Sequence, residues 1–310
     1  VSFDGSATFQ FKPGRGFWAI SESAWSVEDS FPTVSLNQGT VGPVAVIDLH
    51  DGWNIISNPL GKAVSWARVA EANGETLQPL WRFNGTFSRT STFASASSGE
   101  AFYFNNRSGL RRLQIPFVSS PTSSSSKATE APDLLSLTAE GPDGTTSTVR
   151  MGTRPSASDA VGADDVIAPP HRFEQLSLRV RAKETDESTS REQTLMQSVR
   201  RSGTEGQVWH LTLRSDERAP ITLQADGSKG GEGQRIRLVN RETGESYDLR
   251  GDQSVRVVPS GASTRLVVIT GKASFVEKEQ SRYIPSKVML RSNYPNPFRK
   301  QTTIEYTLPE

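Results

Sequence analysis

The stretch Val208-Trp209-His210-Leu211-Thr212-Leu213-Arg214 decides the fold class. From Trp209 onward apolar and polar side chains alternate. A period of two puts Trp209, Leu211 and Leu213 on one side of an extended chain and His210, Thr212 and Arg214 on the other, as in a half-buried β-strand. Thr8-Phe9-Gln10-Phe11 and Arg235-Ile236-Arg237-Leu238-Val239 follow the same rule, and the runs are bounded by Gly, Pro, Asn and Ser, the usual strand punctuation. Strands are expected at 134–139, 148–151, 173–181, 207–214, 221–225, 235–240, 246–249, 254–258 and 264–270. Asn240-Arg241-Glu242-Thr243-Gly244-Glu245 reads as a hairpin turn between two of them. Short strands with regular turn signals point to an antiparallel sandwich. Ser190–Arg201 is the best helical stripe, with Leu195, Met196 and Val199 on one face, but its polar setting leaves a short helix and a loop both open. The expected class is all-β: tandem antiparallel β-sandwich-like domains.

Composition shifts divide the chain. Pro121–Pro132 contains the run Ser123–Ser126, which has too little apolar area to order itself and reads as a linker. The division expected is a β-rich domain at 1–118, a linker at 119–132, a sandwich domain at 133–276, and a charged connector with a distinct C-terminal segment at 277–310. The first domain carries an internal repeat. Phe3-Asp4-Gly5-Ser6 precedes Gly14-Arg15-Gly16-Phe17-Trp18-Ala19-Ile20, and Phe83-Asn84-Gly85-Thr86 precedes Gly99-Glu100-Ala101-Phe102-Tyr103-Phe104. Each copy reads as strand, tight Asp-Gly or Asn-Gly hairpin, strand, glycine turn and aromatic strand. Gly52-Trp53-Asn54-Ile55-Ile56-Ser57-Asn58-Pro59 opens the second copy. Its counterpart in the first would lie before Val1, so the chain reads as a fragment that opens inside a strand.

Charge and composition exclude several classes of function. The chain has 35 basic and 34 acidic residues and a net charge of +1, interspersed along its length, so it lacks the one-signed field of a nucleic-acid-binding surface. No apolar run approaches the ~18 residues of a membrane span. Residues 1–11 show neither the basic nor the apolar region of a signal peptide. There is no cysteine, which removes disulfides, thiol chemistry and cysteine-based zinc sites.

No catalytic constellation is legible, and the chain is read as a non-enzyme with no cofactor. Gly14-Arg15-Gly16-Phe17-Trp18-Ala19 matches a dinucleotide fingerprint in letters, but no helix pattern follows to receive a pyrophosphate, so it reads as a hairpin turn. Gly227-Ser228-Lys229-Gly230-Gly231-Glu232-Gly233 is likewise a turn. His50, His171 and His210 stand in separate motifs with no partner at ligand spacing. Asp159, Asp164 and Asp165 lie in a Gly- and Ala-rich loop; clustered loop carboxylates can hold Ca²⁺, although strand capping accounts for them as well. Trp18, Trp53 and Trp81 are candidates for stacking a sugar ring, against the plainer expectation that aromatics in a lean domain form its core. Asn84-Gly85-Thr86 and Asn106-Arg107-Ser108 are sequons in form and turns by composition.

The last segment reads Leu290-Arg291-Ser292-Asn293-Tyr294-Pro295-Asn296-Pro297-Phe298, then Thr302-Thr303-Ile304-Glu305-Tyr306-Thr307-Leu308-Pro309-Glu310. Its prolines fix φ and hold Tyr294 and Asn296 extended, so that Tyr294 and Phe298 form a stiff clip. The string resembles the opening of the type A C-terminal sorting domain carried by cargo of bacterial type IX secretion, departing from it at Arg299-Lys300-Gln301. Val149-Arg150-Met151-Gly152, Asp159-Ala160, Asp164 and Ala168-Pro169-Pro170, with the first domain's Gly-Trp-Asn and Pro-Gly-Arg-Gly-Phe-Trp elements, are similar to regions that precede such sorting domains. The resemblance implies that Tyr294, Pro295, Asn296, Pro297 and Phe298 belong to a secretion signal, here the truncated start of a sorting domain ending at Glu310. It implies the type IX outer-membrane machinery as partner and a secreted or cell-surface location on a Gram-negative bacterium. Two alternatives stay open beside this non-catalytic export and accessory role: an adhesion or carbohydrate-binding module that meets surface glycans or other surface proteins, and the tail of a secreted hydrolase.

Overall fold

The structure is a computed structural model. It describes residues 12–17, 22–23, 34–74, 76–117, 133–170, 173–186, 189–203, 205–227, 233–250, 254–259, 261–283, 289–290, 300–304 and 306–307. The chain forms two compact units, Val1–Lys127 and Ala128–Glu310. Its fold is all-β and sandwich-like, with two short α-helices among the described residues.

The first unit contains β1 (Asn37–Gly39), β2 (Gly42–Asp48), β3 (Gly52–Ile56), β4 (Val64–Ser65), α1 (Trp66–Asn73), β5 (Leu80–Phe83), β6 (Phe87–Thr90), β7 (Thr92–Phe93), β8 (Phe102–Asn106) and β9 (Arg112–Pro116). Its sheets run β1-β2-β9, β3-β8-β5-β6 and β4-β7. Helix α1 is short but well specified. Ser65 caps its start by accepting from the Arg68 N–H, and Gly74 ends it in the left-handed conformation, returning its N–H to the Glu71 carbonyl. Trp66, Val69 and Ala72 form its buried face. Trp66 meets Phe104 and Phe93 edge-on at 5.2 and 5.8 Å, and its indole N–H donates to the Gln78 carbonyl. Around it Ala45 and Ile47 of β2, Leu113 and Ile115 of β9, and Leu80, Phe102 and Ile56 of the four-stranded sheet complete one core.

The four-stranded sheet buries aromatic side chains on both faces. Its register sets Ile55 opposite Tyr103, Tyr103 opposite Trp81 and Trp81 opposite Arg89, a row across all four strands on the face away from that core. Trp81 is 2% exposed and Tyr103 8%, so this face is also buried. Asn84, Gly85 and Thr86 form the turn between β5 and β6, with Phe83 opposite Phe87; Gly85 alone takes a positive φ, +96°, so the turn is not the tight two-residue one that Asn-Gly suggests.

The second unit contains β10 (Asp133–Glu140), β11 (Thr146–Arg154), β12 (Val166–Ile167), β13 (Leu176–Asp186), β14 (Thr189–Arg201), β15 (Gly206–Ser215), β16 (Ile221–Asp226), β17 (Gln234–Asn240), β18 (Ser246–Asp248), β19 (Ser254–Val257), β20 (Thr264–Lys272), α2 (Ala273–Ser281), β21 (Met289–Leu290) and β22 (Tyr306–Thr307). One 11-stranded sheet runs β18-β17-β20-β15-β13-β14-β11-β10-β16-β19, with β12 paired to β14. Its pairs are antiparallel except β11 with β14, which run parallel. Alternation behaves as expected in β15, where Trp209, Leu211 and Leu213 are buried between more exposed neighbours. The hairpin at 240–245 closes through Gly244 N–H to Asn240 O and Asn240 N–H to Glu245 O, with Asn240 Oδ1 accepting from Glu242 N–H.

Two segments differ from the sequence reading. Residues 190–201 form strand, neither helix nor loop. Leu195 and Val199 are buried on one side of β14, and Met196 and Ser198 on the other. A strand covered on both faces loses its alternation and imitates a helical stripe. The charged run at 277–282 is not a free connector from residue 277. Helix α2 crosses that boundary and docks Val276, 1% exposed, against Val239, Val267 and Ile269. Glu277 and Lys278 are exposed, whereas Glu279 is buried on the same side as Val276 and accepts from Arg282.

Candidate functional site

The secretion-signal residues Tyr294, Pro295, Asn296, Pro297 and Phe298 lie outside the described residues, as do Trp18 and His171. The chain on either side is described. Strand β21 pairs with β22, Met289 opposite Thr307 and Leu290 opposite Tyr306. This antiparallel pair brackets the Pro-rich string.

The Pro-Gly-Arg-Gly element has a packing explanation. Arg15 bridges to Ile56; Gly16 N–H donates to Ile55 O, and Ser57 N–H to Gly14 O, so the turn adds to the outer edge of β3. A Cβ on Gly14 would lie 1.8 Å from Ile47 Cγ2, and one on Gly16 2.8 Å from Ala101 Cβ. These glycines permit close backbone approach. The turn, Asp48, His50 and Trp53 line a cavity of about 520 Å³. Trp53 is half-buried at its wall, whereas Trp81 is enclosed, with the Arg89 guanidinium 5.3 Å from its ring centroid.

Asparagines in this unit clip loops. Asn54 accepts from His50 N–H and donates to the carbonyls of His50 and Gly52. Asn106 donates to His50 O and Leu110 O and accepts from Leu110 N–H. At 2% exposure it is closed to a glycosylating enzyme, so that sequon is turn chemistry. His50 itself is exposed, with Nδ1 2.9 Å from Asp51 O.

The aspartate loop lies against β14. Asp164 pairs with Arg154. Asp165, 3% exposed, accepts from Gly162 N–H at 2.6 Å and from Val199 N–H at 2.8 Å, one bond to each carboxylate oxygen. It thereby fixes the loop to the strand. Asp159 is exposed. The structure therefore assigns Asp164 and Asp165 protein partners, and among the described residues no three metal-binding side chains are grouped to hold an ion. Asp159 and Asp165 line a cavity of about 430 Å³ together with Arg181, Arg200 and His210. Burial pulls the Arg200 guanidinium below its ordinary value, a shift opposed by attraction to Asp159 and Asp165. Sequence reasoning missed both arginines, which sit among many surface basic residues and match no motif.

Among the described residues no helix is long and apolar enough to cross a membrane. No family description, curated protein or solved structure matches the chain.

Proposed function

We propose that this chain is a non-catalytic accessory and export region of a secreted or cell-surface bacterial protein, with its C-terminal segment directing type IX secretion. The string from Leu290 through Tyr294-Pro295-Asn296-Pro297-Phe298 to Leu308 carries the reading. Its support is chemical and positional: two prolines stiffen the string, and the strands bracketing it pair Leu290 with Tyr306. The partner is the type IX outer-membrane machinery of a Gram-negative cell. The test is removal of residues 294–310, with anything that follows them, in a host that performs type IX secretion. The protein should then be lost from the surface and medium and be retained inside the cell, with the β-rich circular-dichroism spectrum of the purified chain unchanged. Undiminished appearance outside the cell refutes the proposal.

A second reading, a carbohydrate-binding module, has one observation in its favour. Trp53 stands at the wall of a cavity that also presents Lys12, Arg15, Asp48 and His50, an aromatic face beside hydrogen-bonding groups. Trp53→Ala should abolish retention on a glycan array while leaving the denaturation midpoint within the usual surface range. Equal glycan binding by both proteins removes this reading.

A further inference from the structure

Strand β14 exchanges partners midway. Up to Leu195 it pairs with β13, Val180 opposite Leu195. β12 lies along its other edge, Ile167 opposite Leu195 and Val166 opposite Gln197, and from Gln197 β14 runs parallel to β11. β13 meanwhile pairs with β15, Arg181 opposite His210. The sheet's continuous pairing is interrupted here, and the 430 Å³ cavity lies beside the interruption. Apolar lining comes from Ala160 and Val161, which are at least partly exposed, and from the buried Leu195 and Val199; charge comes from Arg181, Arg200, Asp159 and Asp165.

Arg200 is the unusual member. Its guanidinium sits 5.7 Å from the centroid of the buried Trp209 ring. Nη1 donates to the Val208 carbonyl at 2.6 Å, and among the described residues Arg200 makes no ion pair. A guanidinium carries five N–H donors in a planar fork that suits a carboxylate. A half-buried cation with one hydrogen bond and a cavity beside it has N–H donors left to offer a ligand. The nearby aspartates attract the guanidinium without closing an ion pair with it. Asp165 directs each oxygen to a backbone N–H, and Asp159 stays on the exposed loop.

We propose that this cavity binds a small carboxylate-bearing molecule with an apolar body, its carboxylate held by Arg200 and its body against Ala160 and Val161. Asp159 then competes with the ligand, because its charge attracts the same guanidinium without closing an ion pair. The site is independent of the secretion reading and survives that reading's failure.

Isothermal titration of the whole 310-residue chain with benzoate, and with benzamide as a neutral counterpart of the same shape, tests the proposal. Benzoate should bind saturably and benzamide at least tenfold more weakly. Arg200→Gln should weaken benzoate at least tenfold. Asp159→Asn, in the exposed loop, should strengthen it several-fold, and that gain keeps the test decisive if Arg200→Gln does not fold. Equal affinity for the two probes, or unchanged or weakened benzoate binding in Asp159→Asn, overturns the proposal.

Discussion

Gly206 and Gly271 face each other across β15 and β20, and neither position has room for a side chain. A Cβ on Gly206 would lie 2.2 Å from Thr270 O and 2.4 Å from Phe275 Cδ1. One on Gly271, whose φ is +146°, would lie 2.3 Å from Glu205 O. The pair brings the backbones close enough for Lys272 N–H to reach Glu205 O at 2.8 Å and lets Phe275 of α2 cover the end of β15. Gly206→Ala should therefore cost about 1–3 kcal/mol through overpacking. Gly271→Ala should cost at least as much, because it adds backbone strain. Urea unfolding should show a lower midpoint with an unchanged slope for both; unaltered midpoints would contradict this packing of α2.

Arg179 and Glu174 form an ion pair whose side chains are 4% and 1% exposed. Burial lowers the Arg179 pKa and the Glu174 carboxylate opposes that shift. Removing one partner strands a charge away from water, so Glu174→Gln should destabilise by about 3–5 kcal/mol. The double variant Arg179→Met with Glu174→Leu should recover most of the loss, since a buried pair replaced by apolar groups of similar volume is often near neutral. A double variant as unstable as the single one would show that the pair does more than cancel its own burial.

Trp81 distinguishes structure from recognition in the first unit. At 2% exposure it has no free face on which a sugar could stack. Trp81→Ala should cost about 3–5 kcal/mol, and Trp81→Phe less. Chemical denaturation checks this, and a loss below about 1 kcal/mol would place the ring at the surface.

The strands that were legible in the sequence are those with one buried face. In β15, Trp209, Leu211 and Leu213 alternate with more exposed residues, and the register with β20 preserves that alternation. β14 was illegible because it is covered on both sides where it changes partners, so Leu195, Met196, Ser198 and Val199 are all buried. The signals for α1 were present in Ser65, Gly74 and the Trp66–Val69 spacing, but two turns of helix make a faint periodicity among strands. The aspartates were visible as a group, whereas their neighbour Arg200 comes from a strand brought alongside by the parallel pairing of β11 and β14. Such non-local pairing leaves no trace in local spacing.

Asn58 gives the sharpest test of the loop clips, because one isosteric change reverses its chemistry. It is 1% exposed. Its Nδ2 donates to Lys62 O at 2.9 Å and Phe93 O at 3.0 Å, and its Oδ1 accepts from Leu60 N–H at 2.9 Å. Asn58→Ala leaves these backbone groups without their partner and should cost about 1–3 kcal/mol. Asn58→Asp keeps the shape but sets a carboxylate against two carbonyl oxygens, so at neutral pH it should cost more than the alanine. Desolvation and those carbonyls both disfavour the charged form, which raises the folded-state pKa of the new carboxyl above its unfolded value. A raised folded pKa means that the folded state holds the proton more tightly. The associated stability is then present at acid pH and lost as pH rises. The difference between Asn58→Asp and the wild type should accordingly be smallest near about pH 3 and grow from roughly pH 4 to 7, with the Asn58→Ala difference flat over the same range. Urea midpoints measured at intervals of pH read this directly, and a flat profile for Asn58→Asp would mean that the side chain does not face Lys62 O and Phe93 O.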